Sequence, residues 1–352
     1  MCLVVGEYYP QDHNLLLKYT TMGDSSAANV VIPIIDMGPF LTGTQEERVA
    51  VANEIGKACE EIGFFVVKNF GVDPEIIDNA WKASADFFDL PQEEKLVHSS
   101  AAQDEYPFGY SEIGGEVLSD GKAKETNAAT VSHPDLKEMF SIGPKNPLAG
   151  FPPRRWPEQP ESFAGAYDAY YDAMTGLANQ ILRAMAITLG LPSEDYFEQF
   201  TDHHGSAMRS LNYPSLDGQT PVPGQIRASA HTDYGTVTLL KSGGPGLQVS
   251  KDRDPPTWVD VPHVPDAYIV NLGDLMRRWT NDRWQSTLHR VINPPTGASW
   301  GRRQSIAFFY NLNPDAKVSM LVTKDTENEE SKYPPIVAGD FLMEKHLASM
   351  KK

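Results

Sequence analysis

Hydrophobic residues follow two different periodicities along the chain, and the change comes near Pro192. Before this point apolar positions recur every three or four residues, which predicts helices over residues 45–62, from Pro74 to Phe88 and over residues 161–189. Beyond it, short β-rich runs alternate with turn residues, which predicts a sandwich or jelly roll rather than βαβ units. The predicted strands are 208–213, 226–231, 237–240, 247–249, 257–261, 267–272, 287–292 and 304–310.

The same pattern divides the chain into three regions. Residues 1–29 are predicted to be a flexible extension, residues 30–190 an N-terminal region whose helices pack on the core, and residues 191–352 the core with a C-terminal helix able to act as a lid. Strands are also predicted at 30–35 and 64–68, and Thr44 with Glu47 resembles a capping box. Residues 98–160 are rich in Gly, Pro, Ser and Asp, and loops are expected there.

Composition narrows the class of protein. The net charge of −17 repels polyanions, so no nucleic-acid partner is expected, and an anionic ligand would need a local cation to bind. Cys2 and Cys59 form no disulfide framework and no CxxC motif, which fits a reducing, cytoplasmic location. Neither end has an apolar run long enough to span a membrane, so no membrane association is expected. We also expect a monomer.

A candidate metal site comes from three residues in the second half. His231 and Asp233 are separated by one residue at the end of a predicted strand, so their side chains point the same way. His289 lies in a later predicted strand and completes a set of two histidines and one carboxylate. Such a set leaves three octahedral positions open, which is the arrangement of non-haem iron(II) oxygenases, whereas zinc prefers four tetrahedral ligands.

A candidate anion site follows on the strand that runs to Tyr310. Arg303 and Ser305 share one face of this strand with Ala307 and Phe309. A guanidinium on the inner face of a barrel needs a partner, and a carboxylate held through two hydrogen bonds is the natural one. Tyr213 offers a further donor from an earlier strand.

Two other classes of protein use comparable residues. A zinc metallohydrolase on the same three ligands would need an added acid or base, the chain has no HExxH motif, and that class leaves Arg303 and Ser305 unexplained. A metal-free, cupin-like binding protein would be favoured by the loss of a ligand, but all three ligands are present.

The ordered motifs resemble the isopenicillin N synthase-like branch of the 2-oxoglutarate- and iron(II)-dependent dioxygenases. The resemblance extends from Val31 to the C-terminus. The motifs that carry it are IPIIDMGPF, GFFVVKNFGV, FFDLPQEEK, DLKEMFSIG, LNYP, AHTDYGTVTLL, GLQV, WVDVP, VNLGDLMRRWTNDRWQSTLHRV, RRQSIAFFYN and YPPIVAGDFLMEK.

The resemblance implies a fold, a set of cofactors and residue roles. The fold would be a distorted double-stranded β-helix, or jelly-roll, core flanked by N-terminal and central helices. The family uses Fe(II), O2 and the co-substrate 2-oxoglutarate, and it couples release of succinate and carbon dioxide to oxidation of a C–H bond. Roles carried over by motif are metal binding by His231, Asp233 and His289, and 2-oxoglutarate binding by Arg303, Ser305 and Tyr213.

Two questions stay open within the resemblance. Isopenicillin N synthase itself uses no 2-oxoglutarate, and there the RxS pair holds a carboxylate of the substrate, so an oxidase of that type is the alternative. The primary substrate is expected to be a small secondary metabolite undergoing hydroxylation, desaturation or oxidative cyclisation, with the amino-acid-derived acids of kainoid synthases as one model. The residues expected to line its pocket are Phe309, Tyr110, Phe108, Arg209 and Arg302.

Overall fold

The computed structural model describes residues 30–99, 108–115, 133–146, 151–216, 221–295 and 301–350. The predicted extension over residues 1–29 lies outside these ranges. Within them the helices are α1 (Gly38–Thr42), α2 (Gln45–Glu61), α3 (Pro74–Phe88), α4 (Gln92–Leu96), α5 (Phe163–Thr188), α6 (Asp274–Trp279) and α7 (Ala338–Met350), with a short 3-10 helix at Glu198–Phe200.

An eight-stranded sheet forms the main wall of the fold. Its order is β1-β2-β10-β7-β12-β5-β4-β3. The strands are β1 (Ile34–Asp36), β2 (Phe64–Lys68), β3 (Gly109–Ser111), β4 (Glu138–Ile142), β5 (Ala207–Tyr213), β7 (Val237–Ser242), β10 (Tyr268–Leu272) and β12 (Arg303–Tyr310). Both halves of the chain therefore contribute strands to one sheet.

A four-stranded sheet carries the two candidate histidine ligands. Its order is β6-β11-β8-β9, and its strands are β6 (Ala228–His231), β8 (Leu247–Ser250), β9 (Val259–Asp260) and β11 (Leu288–Val291). A separate two-stranded ribbon pairs β13 (Lys317–Val318) with β14 (Ile336–Val337). The architecture is mainly β with a jelly-roll core, as predicted.

Helices α2, α3 and α5 cover one face of the main sheet, because each buries an apolar stripe there. Helix α5 is buried along its length through residues such as Tyr167, Met174 and Ile181, and it packs against α2 and α3. Helix α2 begins with the predicted capping box, since Thr44 Oγ1 accepts from the Glu47 backbone and the Glu47 carboxylate accepts from the Thr44 backbone. Among the described residues, no helix combines the length and apolar character needed to cross a bilayer.

The expectation of loops over residues 98–160 was wrong for two segments. Strands β3 and β4 lie there, and both are hydrogen-bonded into the main sheet. Strand β4 is buried at all five positions, including the polar Glu138 and Ser141. These two polar side chains can be buried because they hydrogen-bond to other elements, Glu138 to Asn212 and Ser141 to Arg209. Since both faces of β4 are buried, its sequence lacks the alternation of apolar and polar residues that would predict a strand.

Candidate functional site

The three candidate metal ligands meet where strands β6 and β11 of the four-stranded sheet pair. His231 and His289 lie directly opposite each other in the β6–β11 pair, and Asp233 follows β6 by two residues. Their ligand atoms all lie within 4.8 Å of one another. Asp233 Oδ1 is 3.9 Å from His231 Nε2 and 3.6 Å from His289 Nε2.

Backbone carbonyls hold both imidazole rings in the same way. His231 Nδ1 is 2.8 Å from the Ser229 carbonyl oxygen, and His289 Nδ1 is 3.0 Å from the Thr287 carbonyl oxygen. A carbonyl oxygen only accepts, so the proton of each neutral ring lies on Nδ1 and the lone pair on Nε2. Both lone pairs therefore face Asp233 and each other.

The electrostatics favour the metal-binding protonation states of His231 and Asp233. Burial, followed by the neighbouring His289, lowers the pKa of His231 to about 3. Burial alone would raise the pKa of Asp233, but the two histidines and the hydrogen bonds from Asn271 and Thr238 bring it below its ordinary value. Neutral imidazoles and an ionised carboxylate are the forms that bind a divalent metal.

Arg303 is buried on the cavity face of β12 without an acidic partner among the described residues. Its side chain donates to Ser242 Oγ at 2.8 Å and to the carbonyls of Gly244 and Pro245 at 3.3 and 3.2 Å, and its Nη1 lies 3.5 Å from Ser305 Oγ. Only 2% of the residue is exposed, and burial lowers the pKa of its guanidinium.

Tyr213 lies between two buried arginines. Its ring centroid is 4.9 Å from the guanidinium carbon of Arg303 and 6.0 Å from that of Arg227. Burial and then the charge of Arg303 lower the pKa of Arg227. An anion beside Arg303 would be stabilised by its buried guanidinium.

Metal ligands and anion site open into one cavity of about 270 Å³. The main sheet forms its wall in three rows that cross β12 and β5: Arg303 beside Tyr213, Ser305 beside Leu211, and Ala307 beside Arg209. Ser141 of β4 extends the third row. Four residues of strand span about 13 Å, so Arg303 and Arg209 lie at opposite ends of this wall.

Three of the predicted pocket residues line the cavity and two do not. Phe309, Phe108 and Arg209 line it. Tyr110 instead packs on the helical side against Phe87, and its hydroxyl is 2.6 Å from Glu138 Oε2. Arg302 points to the other face of β12, where it binds Asn212 and Asp89.

The placement of Tyr110 and Arg302 in the pocket is therefore corrected. Adjacent residues of a strand point to opposite faces, so Arg302 cannot share the face of Arg303. Tyr110 pairs across the strands with Phe140, which also faces the helices.

Residues other than the five predicted pocket residues also line the cavity. Leu342, Met343 and His346 come from α7, the helix predicted to be able to act as a lid, and Lys137, which sequence reasoning missed, comes from the segment before β4. Lys137 forms a buried ion pair with Asp135 at 2.8 Å. Asp135 in turn accepts hydrogen bonds from the Ser229 backbone and hydroxyl, and so supports the carbonyl that holds His231. The DLKEMFSIG motif pointed to this segment without showing which face each residue takes.

Both implied groups fit the residues present. Two Nε2 lone pairs and one carboxylate oxygen converge at metal-binding separation, and the nearby guanidinium has hydroxyl and carbonyl neighbours but no carboxylate in the described part of the chain. The donor set matches a two-histidine, one-carboxylate iron(II) site. The anion site suits a dicarboxylate that reaches from the metal to Arg303.

Comparison with known proteins gives the same class. Residues 32–159 match the N-terminal family described as non-haem dioxygenase in morphine synthesis, and residues 205–312 match the 2OG-Fe(II) oxygenase superfamily. The chain belongs to the 2-oxoglutarate- and iron(II)-dependent dioxygenases, and it is an oxidoreductase that uses Fe(II), 2-oxoglutarate and O2.

Individual relatives support this assignment over most of the chain. The 2-oxoglutarate-Fe(II) type oxidoreductase hxnY of Emericella nidulans is 33% identical, covering 88% of this chain and 88% of that protein. Validamycin A dioxygenase of Streptomyces hygroscopicus is 31% identical, covering 90% and 86%. A full-length Neurospora crassa protein, solved in complex with alpha-KG, is 31% identical with a TM-score of 0.77, covering 90% of this chain and 96% of that one. Another structure of the same Neurospora crassa protein contains alpha-KG and thymine.

Proposed function

We propose that this oxygenase oxidises a C–H bond of a small, acidic secondary metabolite, by hydroxylation, desaturation or oxidative cyclisation. In this proposal His231, Asp233 and His289 hold the iron, and Arg303 with Ser305 and Tyr213 holds the far carboxylate of 2-oxoglutarate. The observation that carries it is the buried Arg303, which has no acidic partner in the described ranges and lies in the same cavity as the triad.

The chain's own groups prepare the cavity for this reaction. Bound Fe(II) supplies the activation of O2 and 2-oxoglutarate. The guanidinium of Arg303 would neutralise and hold one carboxylate of the co-substrate. Apolar side chains such as Leu240, Leu247 and Val291 line the same space and limit the access of water.

The substrate would occupy the end of the cavity away from Arg303. Arg209 lies there with its Nε 3.0 Å from Ser141 Oγ and its guanidinium carbon 5.9 Å from the centroid of Phe309. A cation beside an aromatic ring suits a small molecule that combines an acidic group with an apolar body. Ring closure of an amino-acid-derived acid, as in kainoid synthases, is one reaction that fits this description.

Three further cations do not line the cavity. Lys241 lies outside the lining and is 3.7 Å from Asp266, and Arg302 faces away from the cavity. Arg227 donates to the Gly301 carbonyl and flanks Tyr213 without lining the cavity. Within the described residues, Arg209 and Lys137 are thus the cations at the substrate side.

Succinate release against matched compounds tests the proposal. The panel pairs small carboxylic acids with their amides, across amino acids, amines and terpenoid acids, in the presence of Fe(II), O2 and 2-oxoglutarate. We expect acids to stimulate succinate release more than their amides, and Arg209→Met to weaken this preference while the affinity for 2-oxoglutarate stays unchanged. Stimulation by neutral compounds only would exclude an acidic substrate.

An oxidase of the isopenicillin N synthase type, which needs no 2-oxoglutarate, was the alternative. Membership in the 2-oxoglutarate- and iron(II)-dependent dioxygenases and the similarity to a Neurospora crassa protein solved with alpha-KG favour the 2-oxoglutarate-dependent reaction.

We further propose that the enzyme is a cytoplasmic monomer without a nucleic-acid or membrane partner. The net charge of −17 supports this for nucleic acid, and the two cysteines support a reducing compartment. Light scattering of the purified protein tests the oligomeric state, and a mass near twice 38.9 kDa would contradict a monomer.

A further inference from the structure

Two polar side chains face each other in the buried centre of the main sheet. Thr238 of β7 and Asn271 of β10 are direct cross-strand partners. Their exposed fractions are 5% and 3%, and a polar group buried to this extent costs free energy unless it is hydrogen-bonded. Their shared hydrogen-bond partner therefore explains why they are there.

Both side chains donate to the same oxygen of Asp233. Thr238 Oγ1 is 2.6 Å from Asp233 Oδ2, and Asn271 Nδ2 is 2.7 Å from the same atom. The other oxygen, Oδ1, is the one nearest to the Nε2 atoms of His231 and His289. The carboxylate is therefore divided, with one oxygen held by the sheet and the other directed at the metal position.

The backbone around Asp233 is fixed against the segment that leads from β10 into α6. The Asp233 carbonyl accepts from the Asp274 backbone at 2.8 Å, and the Thr236 carbonyl accepts from Gly273 at 3.0 Å. A Cβ atom at Gly273 would lie 2.3 Å from the Gly235 carbonyl oxygen, so the two chain segments touch only because residue 273 has no side chain. Asp233 cannot turn away without moving this contact.

We propose that Thr238 and Asn271 are positioning residues that make Asp233 a one-oxygen ligand. The proposal rests on the metal-binding role of Asp233 proposed above. If Oδ2 were free it could also reach the metal and occupy a position that the keto acid or oxygen needs. Holding Oδ2 in the sheet keeps that position available and fixes the direction of Oδ1.

Binding of Mn(II) to the full-length protein tests this without turnover. Thr238→Val and Asn271→Leu remove the two donors with little change of shape, while Thr238→Ser keeps the hydroxyl. Thr175→Val is the matched control, because the Thr175 hydroxyl donates only to the Tyr171 carbonyl within α5. Free Mn(II) is measured by electron paramagnetic resonance during titration, and the affinity for 2-oxoglutarate is then measured on the Mn(II)-loaded proteins.

We expect Thr238→Val and Asn271→Leu each to weaken Mn(II) binding about 10- to 100-fold, the usual effect of losing a group that orients a metal ligand. Thr238→Ser and Thr175→Val should bind Mn(II) within about threefold of the wild type, since neither removes a hydrogen bond to the carboxylate. The loaded Val and Leu variants should also bind 2-oxoglutarate more weakly, because Oδ2 can compete for its position.

Two results would overturn the proposal. One is wild-type Mn(II) affinity in Thr238→Val, and the other is a loss that Thr238→Ser shares to the same extent. If Asn271→Leu does not fold, the Val and Ser variants of Thr238 decide alone. Asp233→Ala separates the two levels: retention of Mn(II) there would end the metal role of Asp233 itself, whereas loss there with retention in Thr238→Val ends only the positioning role.

Discussion

Two buried cations on opposite faces of the main sheet are satisfied in opposite ways. On the helical face Lys95 donates to Glu138 at 2.8 Å and to the Phe88 carbonyl, and the second oxygen of Glu138 accepts from Asn212 at 2.7 Å. On the cavity face Arg303 finds only hydroxyl and carbonyl oxygens in the described segments.

The difference separates a structural cluster from a ligand site. The Lys95 cluster is closed, since its cation and carboxylate balance each other within the protein, and removing a member should cost stability. The Arg303 site carries a charge that the described chain leaves uncompensated, and such a charge is tolerated at a functional site because a ligand completes it. Substituting a residue of the closed cluster should therefore lower stability, whereas substituting a residue of the open site should weaken ligand binding.

Loss of a metal ligand should have the largest effect on activity, because the described part of the protein provides no replacement ligand. We expect His289→Ala to lose bound iron and to abolish succinate release, because two ligands cannot replace three, while the circular dichroism spectrum stays that of the wild type. Iron per protein after anaerobic reconstitution is the measurement. His203→Ala is the control, since His203 lies at the surface with Asp202 and Asp315. Wild-type iron content and turnover in His289→Ala would contradict the site.

Arg303→Ala should give the next largest effect. Breaking a buried charge pair costs about 3–5 kcal/mol, which corresponds to a KM for 2-oxoglutarate raised by roughly two to four orders of magnitude. Arg302→Ala is a control that differs by one position in sequence and by one face of the strand, and it should leave this KM unchanged. Equal effects of the two substitutions would remove the distinction between the faces.

Lys95→Met should change stability and leave ligand binding intact. It leaves Glu138 buried beside Asn212 without its cation, so we expect the free energy of unfolding to fall by about 3–5 kcal/mol. The dissociation constant of 2-oxoglutarate for the folded variant should stay unchanged. Lys82→Met is the control, because the Lys82 side chain is 74% exposed and its pair with Asp86 should contribute less than about 1 kcal/mol. A stability loss no larger than that of the control would show that the Lys95 cluster is not structural.

The sequence predicts the open arrangement better than the closed one. Side-chain alternation along a strand is enough to group Arg303, Ser305 and Phe309 on one face, and the spacing of His231 and Asp233 follows the same rule. The closed cluster depends on a partner that is remote along the chain, Glu138 for Lys95, and the support of the metal ligand Asp233 by Asn271 depends on a remote partner too. The periodicity of hydrophobic residues along the chain does not predict such pairs. For this reason the sequence predicts neither strand β4 nor the hydrogen bonds from Thr238 and Asn271 to Asp233.

The wrong predictions have physical reasons of the same kind. Arg302 is expected to line the pocket, but it adjoins the cavity-facing Arg303 and adjacent strand residues face opposite ways. Tyr110 was placed at the cavity because aromatic residues in irregular segments often bind ligands, but β3 pairs with β4 and turns its ring toward Phe87. Which side chains of a three-residue strand face the cavity can be predicted only when the strands that pair with it are known.

The smallest predicted effect concerns His204, a partly buried histidine with no acidic partner among the described residues. Its pKa shift is opposite in direction to that of its exposed neighbour His203. His204 stacks on Tyr171 with 5.8 Å between ring centroids, and burial, followed by the charge of Arg154, lowers its pKa from 6.5 to about 4. Between these values the unfolded chain takes up a proton that the folded protein does not, so stability is complete above about pH 6.5 and is lost as the pH falls toward 4, by up to about 3 kcal/mol.

Urea unfolding of His204→Phe at pH 7, 5.5 and 4.5 should therefore show a weaker loss of stability on acidification than the wild type. His203 should behave in the opposite way. Its hydrogen bond with Asp315 raises its pKa, so it stabilises the protein at low pH and this contribution disappears as the pH rises through the folded-state value. His203→Phe should accordingly steepen the loss on acidification. If both substitutions shift the profile in the same direction, burial without an acidic partner is not what determines the pH dependence of His204.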